Sequence, residues 1–373
     1  MFKIKIRLFA ILLGTALLLC SCADSSSDTG SSNTNSSSLS ESVTTTSVQS
    51  SQNEVSSTTT QTSAATSQQT EATTEAVTTT SQADTKPDAV PEGVPMWECT
   101  DKNGNTMIFL GSMHAAKPDF YPIPEKIKKA YDEAEVVAFE CDADAAESED
   151  AQFELRKKMS STDGVQLKDK LSPEAYEILC KRLADYDMSG EMLAGFRPWA
   201  AYETLSALKI TSGEISNSNG IDYYLMKQTK ADKKQLFELE SYQTQIDMVT
   251  DQPDKLYDAL LRLMKNETVQ SYNGETARLY TAWLKGDLDT LEKMLLPSDE
   301  EYRQEGMSDE DIRLIRERDR VQVDNRNLAM AAKIKGLFAG GKKTLVVVGS
   351  AHFLGANGII SLLGKDGFSF KRI

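Results

Sequence analysis

Thr344-Leu345-Val346-Val347-Val348, followed at once by Gly349-Ser350-Ala351-His352, is the stretch that decides the fold. A short apolar, β-branched run with no polar alternation reads as a strand covered on both faces, as in the sheet of an α/β protein. The same arrangement stands near the other end of the folded region, where Thr106 to Leu110 runs into Gly111-Ser112-Met113-His114. Trp97 to Thr100 precedes it across Asp101-Lys102-Asn103-Gly104-Asn105, and Asn-Gly between apolar runs predicts a hairpin. Val136-Val137-Ala138-Phe139 is another buried strand and ends at Glu140; Lys234 to Leu239 reads as a strand ending at Glu240. Phe368 to Ile373 supplies a final strand. The repeated strand and Gly-Ser-x-His form an internal echo, although four residues are too few to establish a duplication.

Helical segments fill the intervals. Pro124 to Glu135 has proline near its first turn, and Ser172-Pro173-Glu174 combines an N-cap serine with proline at the first helical position. Helices are expected from about Asp150 to Leu208, with Gly195-Phe196-Arg197-Pro198-Trp199 ending one and beginning the next. Asn219-Gly220-Ile221-Asp222 opens another, to about Lys230. Ser241 to about Phe338 is helical, with breaks expected near Pro253, Gly274, Gly286 and Pro297, and Ile359 to Leu363 forms a last helix. Arg313, Arg316, Arg318 and Arg320, set among acidic residues, read as a solvated helix face. Strands separated by helices predict an α/β domain with a central mixed or mostly parallel sheet and a large helical insertion.

The N-terminal part has a different character. Lys3, Lys5 and Arg7 precede an apolar run from Leu8 to Leu19, the layout of a signal peptide over residues 1–21. Leu19-Cys20-Ser21-Cys22 resembles the lipobox of bacterial lipoproteins, with Cys22 the better acylation site because small Ser21 precedes it. Residues 22–95 are dominated by Ser, Thr, Gln, Asn and Ala and contain no aromatic residue. Such a segment cannot bury enough apolar surface to offset its ordering entropy, so it is expected to be a disordered stalk. The expected location is therefore the extracellular face of the cell membrane, reached through a lipid anchor alone.

Residues 96–373 are long enough for one large domain. The stalk carries nine acidic residues and one lysine, and the leader carries three positive charges, so the overall −15 leaves −10 for the domain. That balance argues against nucleic acid as a partner. Cys99, Cys141 and Cys180 are an odd set without close spacing, which speaks against a disulfide framework or a cysteine zinc site.

The whole chain has two histidines, and both follow a strand and a Gly-Ser-x turn. In open α/β sheets ligands bind at the carboxyl edge of the strands. If the strands are parallel neighbours, His114, Glu140, His352 and Glu240 share one crevice. Two imidazoles with carboxylates suit Zn, Mn, Fe or Co. Such an ion lowers the pKa of bound water to roughly 7, and a spare carboxylate can accept its proton. Taken singly, a strand-end histidine is more often a packed, hydrogen-bonded residue, and a strand-end glutamate a solvated one. The paired motif is what favours chemistry. There is no P-loop, dinucleotide fingerprint, nucleophile elbow or His-Glu-x-x-His.

The chain resembles the TraB/GumN family, which includes the Tiki proteins. The matching elements are Phe109 to His114, Val136 to Glu140, Gly220-Ile221-Asp222, Leu239-Glu240-Ser241 with Gln243 and Gln245, Asn325-Arg326-Asn327, and Val347 to Gly355. The resemblance covers essentially all of residues 96–373 and implies a fold related to erythromycin esterases and a haem-binding lipoprotein family. It also implies a metal-dependent, metalloprotease-like site using Mn, Co or Zn. Carried over, His114, His352 and Glu140 become metal ligands, and Glu140, Arg326 and Glu240 catalytic residues. Asp222 and Arg326 become substrate-binding residues. Arg326 reads equally well as a surface salt-bridge residue, and Asp222 as a first-turn residue of its helix. The expected function is a lipid-anchored metal-dependent hydrolase acting on peptides or signalling peptides. The alternative is a non-catalytic lipoprotein that sequesters a peptide or haem.

Overall fold

The hairpin, the buried runs and the closing strand expected from the sequence all join one sheet. The computed structural model describes residues 93–373; the expected leader, the acylated Cys22 and the stalk as far as residue 92 lie outside the described residues. The strands are β1 (Met96–Thr100), β2 (Thr106–Ser112), β3 (Val136–Phe139), β4 (Gln235–Glu238), β5 (Thr344–Gly349) and β6 (Ser369–Arg372). Their order is β4-β3-β5-β2-β1-β6. β4, β3, β5 and β2 are mutually parallel, whereas β1 runs antiparallel to both β2 and β6. The sheet is mixed, with its parallel part at one side. In the β1–β2 turn, Asp101 accepts hydrogen bonds from the backbone N–H groups of Asn103 (2.9 Å) and Asn105 (2.8 Å), and Gly104 takes φ +84°.

The period of two along each strand sends alternate side chains into two helical layers. Leu345 and Val347 of β5 join Leu110, Val137 and Phe139 against the helices Glu125–Glu133, Ile221–Ala231 and Val269–Lys285. Val346 and Val348 join Phe109 and Ala138 against the helices Asn325–Ala339 and Ile359–Lys365. Leu345 to Val348 are at most 1% exposed, and each such side chain stabilises the fold by roughly 1.5–3 kcal/mol. A carboxylate at Val347 would be an unpaired ion between apolar layers.

The helical insertion is real and comes in two stretches. Residues 143–211 lie between β3 and β4, and residues 242–319 between β4 and β5. They share one core, in which Leu155 and Trp199 of the first stretch meet Tyr257, Tyr302 and Ile312 of the second. Ser172 caps its helix by accepting from the Ala175 N–H (3.2 Å), as its sequence predicts.

Three details differ from expectation. Gly274 does not break a helix but sits inside Val269–Lys285. A helical glycine costs about 1 kcal/mol relative to alanine, which burial of Tyr272, Leu279, Tyr280 and Trp283 on the same helix outweighs. The break instead falls before Thr268, whose side chain accepts from the Ser271 N–H in a capping box. Arg318 is not on a solvated face: it is 6% exposed and pairs with Asp319 at 2.9 Å. Finally, Val94, on the stalk side of the expected boundary, is buried in the core.

Candidate functional site

Because β4, β3, β5 and β2 are parallel, their carboxyl ends share one edge, and the residues just beyond them are brought together. His114 stands two residues past β2, Glu140 directly after β3 and Glu240 two residues past β4. His352 lies in the single 3-10 turn Ser350–Phe353 that follows β5. The backbone N–H of Glu240 donates to the Glu140 carbonyl (2.7 Å), which carries the β3–β4 pairing beyond the strands and sets the two carboxylates side by side. Helix starts supply the rest: Asp222 is the second residue of Ile221–Ala231, and Arg326 the second of Asn325–Ala339.

Arg326 is no surface residue. It is 6% exposed, and its guanidinium joins both glutamates: Nη2 donates to Glu140 Oε2 (2.6 Å) and to Glu240 Oε1, and Nε to Glu240 Oε2 (2.8 Å). Its Nη1 donates to the Gln322 carbonyl (3.0 Å) in a π-helical turn, Arg320–Asp324, where the Asn325 N–H reaches back to the Arg320 carbonyl. Gln245 adds a donor to Glu240 Oε1 (2.8 Å). The second oxygen of Glu140, Oε1, accepts from the Gly349 N–H (2.8 Å). A side chain fits poorly there: a Cβ on Gly349 would lie 3.0 Å from His114 Nε2 and 3.1 Å from Glu140 Oε1, so the ring or the carboxylate would have to give by a few tenths of an ångström.

The histidines flank Glu140 from two sides. His114 Nε2 is 3.8 Å from Oε1, and His352 Nε2 is 3.9 Å from Oε2. His114 Nδ1 donates to Asp222 Oδ2. His352 Nδ1 is 2.6 Å from Asn327 Oδ1, while the Asn327 amide nitrogen donates to the Asn357 carbonyl (2.9 Å). That second bond leaves Asn327 an oxygen for the ring, so His352 carries its proton on Nδ1 and turns Nε2 toward Glu140. Gly220 lets the Asp222 helix come close, since a Cβ there would meet the His114 carbonyl oxygen at 2.5 Å.

The partners set different charge states. Burial, helped by Arg326, pushes the His352 imidazole down to about 3. Burial opposes charge on His114 too, but the Asp222 carboxylate and then Glu140 raise it to about 9. Burial alone would raise the Glu140 carboxyl; the facing His352, Arg326 and His114 hold it at about 2. Burial, with Glu140 beside it, pushes the Cys141 thiol well above its usual range and keeps it protonated.

By type the donors suit a divalent ion: one Nε2 stands near each oxygen of Glu140, and each ring is fixed through Nδ1 by a side-chain oxygen, the usual support of metal-bound histidines. Ligand atoms about 2.1 Å from one tetrahedral ion stand about 3.4 Å apart, somewhat closer than the separations here. Among the described residues, no group of three or more His, Cys, Asp or Glu side chains has the spacing of a metal site. Charge favours a cation by a small margin, since three carboxylates (Glu140, Glu240 and Asp222) face the Arg326 guanidinium and the raised His114 imidazole.

A pocket of about 50 Å³ opens onto His114, Glu140 and Asp222, with Phe139, Met226 and Val347 as apolar wall. Asn217 and Cys141 also line it. The structure thus brings His114, Glu140, His352, Glu240, Asp222 and Arg326 into one cluster. Sequence reasoning gave no role to Asn327, Gln245 or Asn217. The first two lie inside the motifs that carry the resemblance, but nothing local in the sequence singles out Asn217.

The family model described as the TraB/PrgY/gumN family matches residues 95–372. The uncharacterised protein YbaP of Escherichia coli strain K12 is 22% identical over 254 residues, covering 68% of this chain and 86% of YbaP. YbaP of Shigella flexneri matches to the same extent. No solved structure matches.

Proposed function

The chain belongs to the TraB/PrgY/gumN family, and from that premise we propose that residues 96–373 form a metal-dependent peptide hydrolase, held outside the cell by a lipid on Cys22. The observation that supports it best is the shared Glu140, with an imidazole Nε2 at 3.8 Å on one side and at 3.9 Å on the other. His114, His352 and Glu140 would hold Mn, Co or Zn, which supplies Lewis acidity and an activated water. The chain's own groups do the rest. Asp222 and Asn327 fix the two rings. Arg326 neutralises and orients Glu140 and Glu240, and Glu240 keeps Arg326 in place from the far side. Phe139, Met226 and Val347 keep the pocket dry on one flank, which strengthens every electrostatic contact within it.

The test is elemental analysis of the full-length protein purified without chelator, with peptide turnover measured in parallel with Mn, Co and Zn. His114→Ala and His352→Ala should each lose bound metal and peptide turnover. Full metal content in both variants ends the ligand assignment.

One observation favours a second reading. Arg326 already engages both glutamates, as in a cluster built for stability rather than turnover. On that reading the protein captures a peptide and releases it intact, and recovery of unchanged peptide after saturable binding separates the two. A pocket of about 50 Å³ suits a small group better than a porphyrin, for cofactor pockets usually offer roughly 300–1,000 Å³.

A further inference from the structure

We infer that Asn217 and the unengaged oxygen of Asp222 form a donor–acceptor clamp for one planar amide group of the ligand. The inference rests on the proposed function only in placing the ligand in the same pocket; it holds for capture as well as for hydrolysis. Asn217 is 7% exposed, and its Nδ2 has no hydrogen-bond partner. Asp222 Oδ1 is likewise buried and without a partner. Both residues line the pocket beside His114 and Glu140. Buried polar atoms are nearly always satisfied, so a donor and an acceptor left unpaired in one small pocket call for an explanation.

By donor and acceptor type the pair suits an amide: Nδ2 of Asn217 can donate to the carbonyl oxygen, and Oδ1 of Asp222 can accept from the N–H. An ester offers the first contact and lacks the second. A carboxylate lacks the N–H for Asp222 and meets three like charges in the pocket, Asp222, Glu140 and Glu147, against the one raised His114 imidazole. Both residues are held ready. Asp222 is oriented by His114 through its other oxygen. The Asn217 segment is pinned by two backbone bonds between Ala116 and Ser216, each 3.1 Å, and by the Ile221 N–H donating to the Met113 carbonyl (3.2 Å). Such fixed geometry lowers the ordering cost of binding. Neither unpaired atom is reached by bulk water, so the incoming group must part the rim. There Tyr223 donates to Glu147 at 3.2 Å, joining the helix Ile221–Ala231 to the turn Ala143–Glu147.

Ligand-observed NMR on the full chain tests this with acetamide, methyl acetate and acetate. Acetamide should bind at least roughly tenfold more tightly than methyl acetate, the effect of one hydrogen bond to an ionised acceptor, and acetate should bind weakest. Asn217→Asp and Asn217→Leu should each weaken acetamide at least threefold, with circular dichroism unchanged. Equal binding of acetamide and methyl acetate by the unsubstituted protein overturns the clamp, as does no acetamide binding at all; neither result depends on a variant folding. An acetamide preference without any peptide turnover would retain the clamp and remove only the hydrolase reading.

Discussion

The two Gly-Ser-x-His segments share a motif and differ in chemistry. β2 and β5 are parallel neighbours with Gly111 opposite Val348 and Ser112 opposite Gly349, so the second motif sits one residue farther along the sheet. After β2 the chain bends at His114, whereas after β5 it coils into a 3-10 turn that buries His352 to 2% exposure. A carboxylate from one helix then meets the first ring, and an amide from another meets the second. The first imidazole is raised to about 9 and the second lowered to about 3. A motif delivers a histidine to the sheet edge; the partner of its Nδ1, from elsewhere in the chain, decides what that histidine is.

The largest change should come from removing what the two rings share. Glu140→Gln is expected to cut peptide turnover at least roughly 100-fold, beyond the roughly 10–100-fold that loss of an outer partner of a metal site costs, and to lower stability. Breaking a buried ion pair costs about 3–5 kcal/mol, and here the low end applies because Arg326 keeps Glu240. Urea unfolding and a peptide assay read both effects, and unaltered turnover would remove Glu140 from the chemistry.

Exchanging the ring partners should come next. Asp222→Asn makes the His114 setting resemble that of His352, and its pKa should fall from about 9; Asn327→Asp should raise His352 from about 3. Proton NMR of the two ring C–H signals in metal-free protein follows each directly. Stability should move with them. The raised His114 contributes fully below its unfolded value of roughly 6.5, and that contribution is lost as pH rises through about 9. The depressed His352 works in the other direction, contributing above roughly 6.5 and losing it as pH falls toward about 3. Unsubstituted metal-free protein should therefore weaken on both sides of neutrality, and Asp222→Asn should flatten only the alkaline side. An alkaline limb unchanged in that variant would mean that another group causes it.

The smallest contrast concerns the two glycines. A Cβ on Gly349 presses on His114 and Glu140, while one on Gly111 meets Ser350 Oγ at 2.9 Å and Pro95 Cβ at 3.0 Å, away from both rings. Gly349→Ala and Gly111→Ala should both destabilise by about 1–3 kcal/mol, the range for overpacking, but only Gly349→Ala should also shift the His114 titration. Equal shifts in both variants would erase the distinction.

Much of this was legible in the sequence because strand signals are local. Leu345 to Val348 and Val136 to Phe139 are apolar over their whole length, and both are buried on two faces. His114, Glu140, Glu240 and His352 could be placed at one edge because each follows such a run. Arg326 stood out within its motif, but its burial was not legible, since only the fold brings Glu140 and Glu240 to face that helix start. Asn217 and the amide role of Asn327 were hidden for the same reason. Gly274 misled because glycine weakens a helix locally, and the packing that rescues it is non-local.

The π-helical turn has a bearing on chain length. Each residue turns an α-helix by about 100°, and the wider turn Arg320–Asp324 absorbs one extra residue just before Arg326 and Asn327. Because the wider turn already takes up that residue, deleting Val321 would let the helix close up regularly with Arg326 and Asn327 still near their present phase, facing the carboxylates and the imidazole. In this stretch the turn takes up a change in residue number, so an in-frame loss of the Val321 codon should be less damaging than substitution of Arg326.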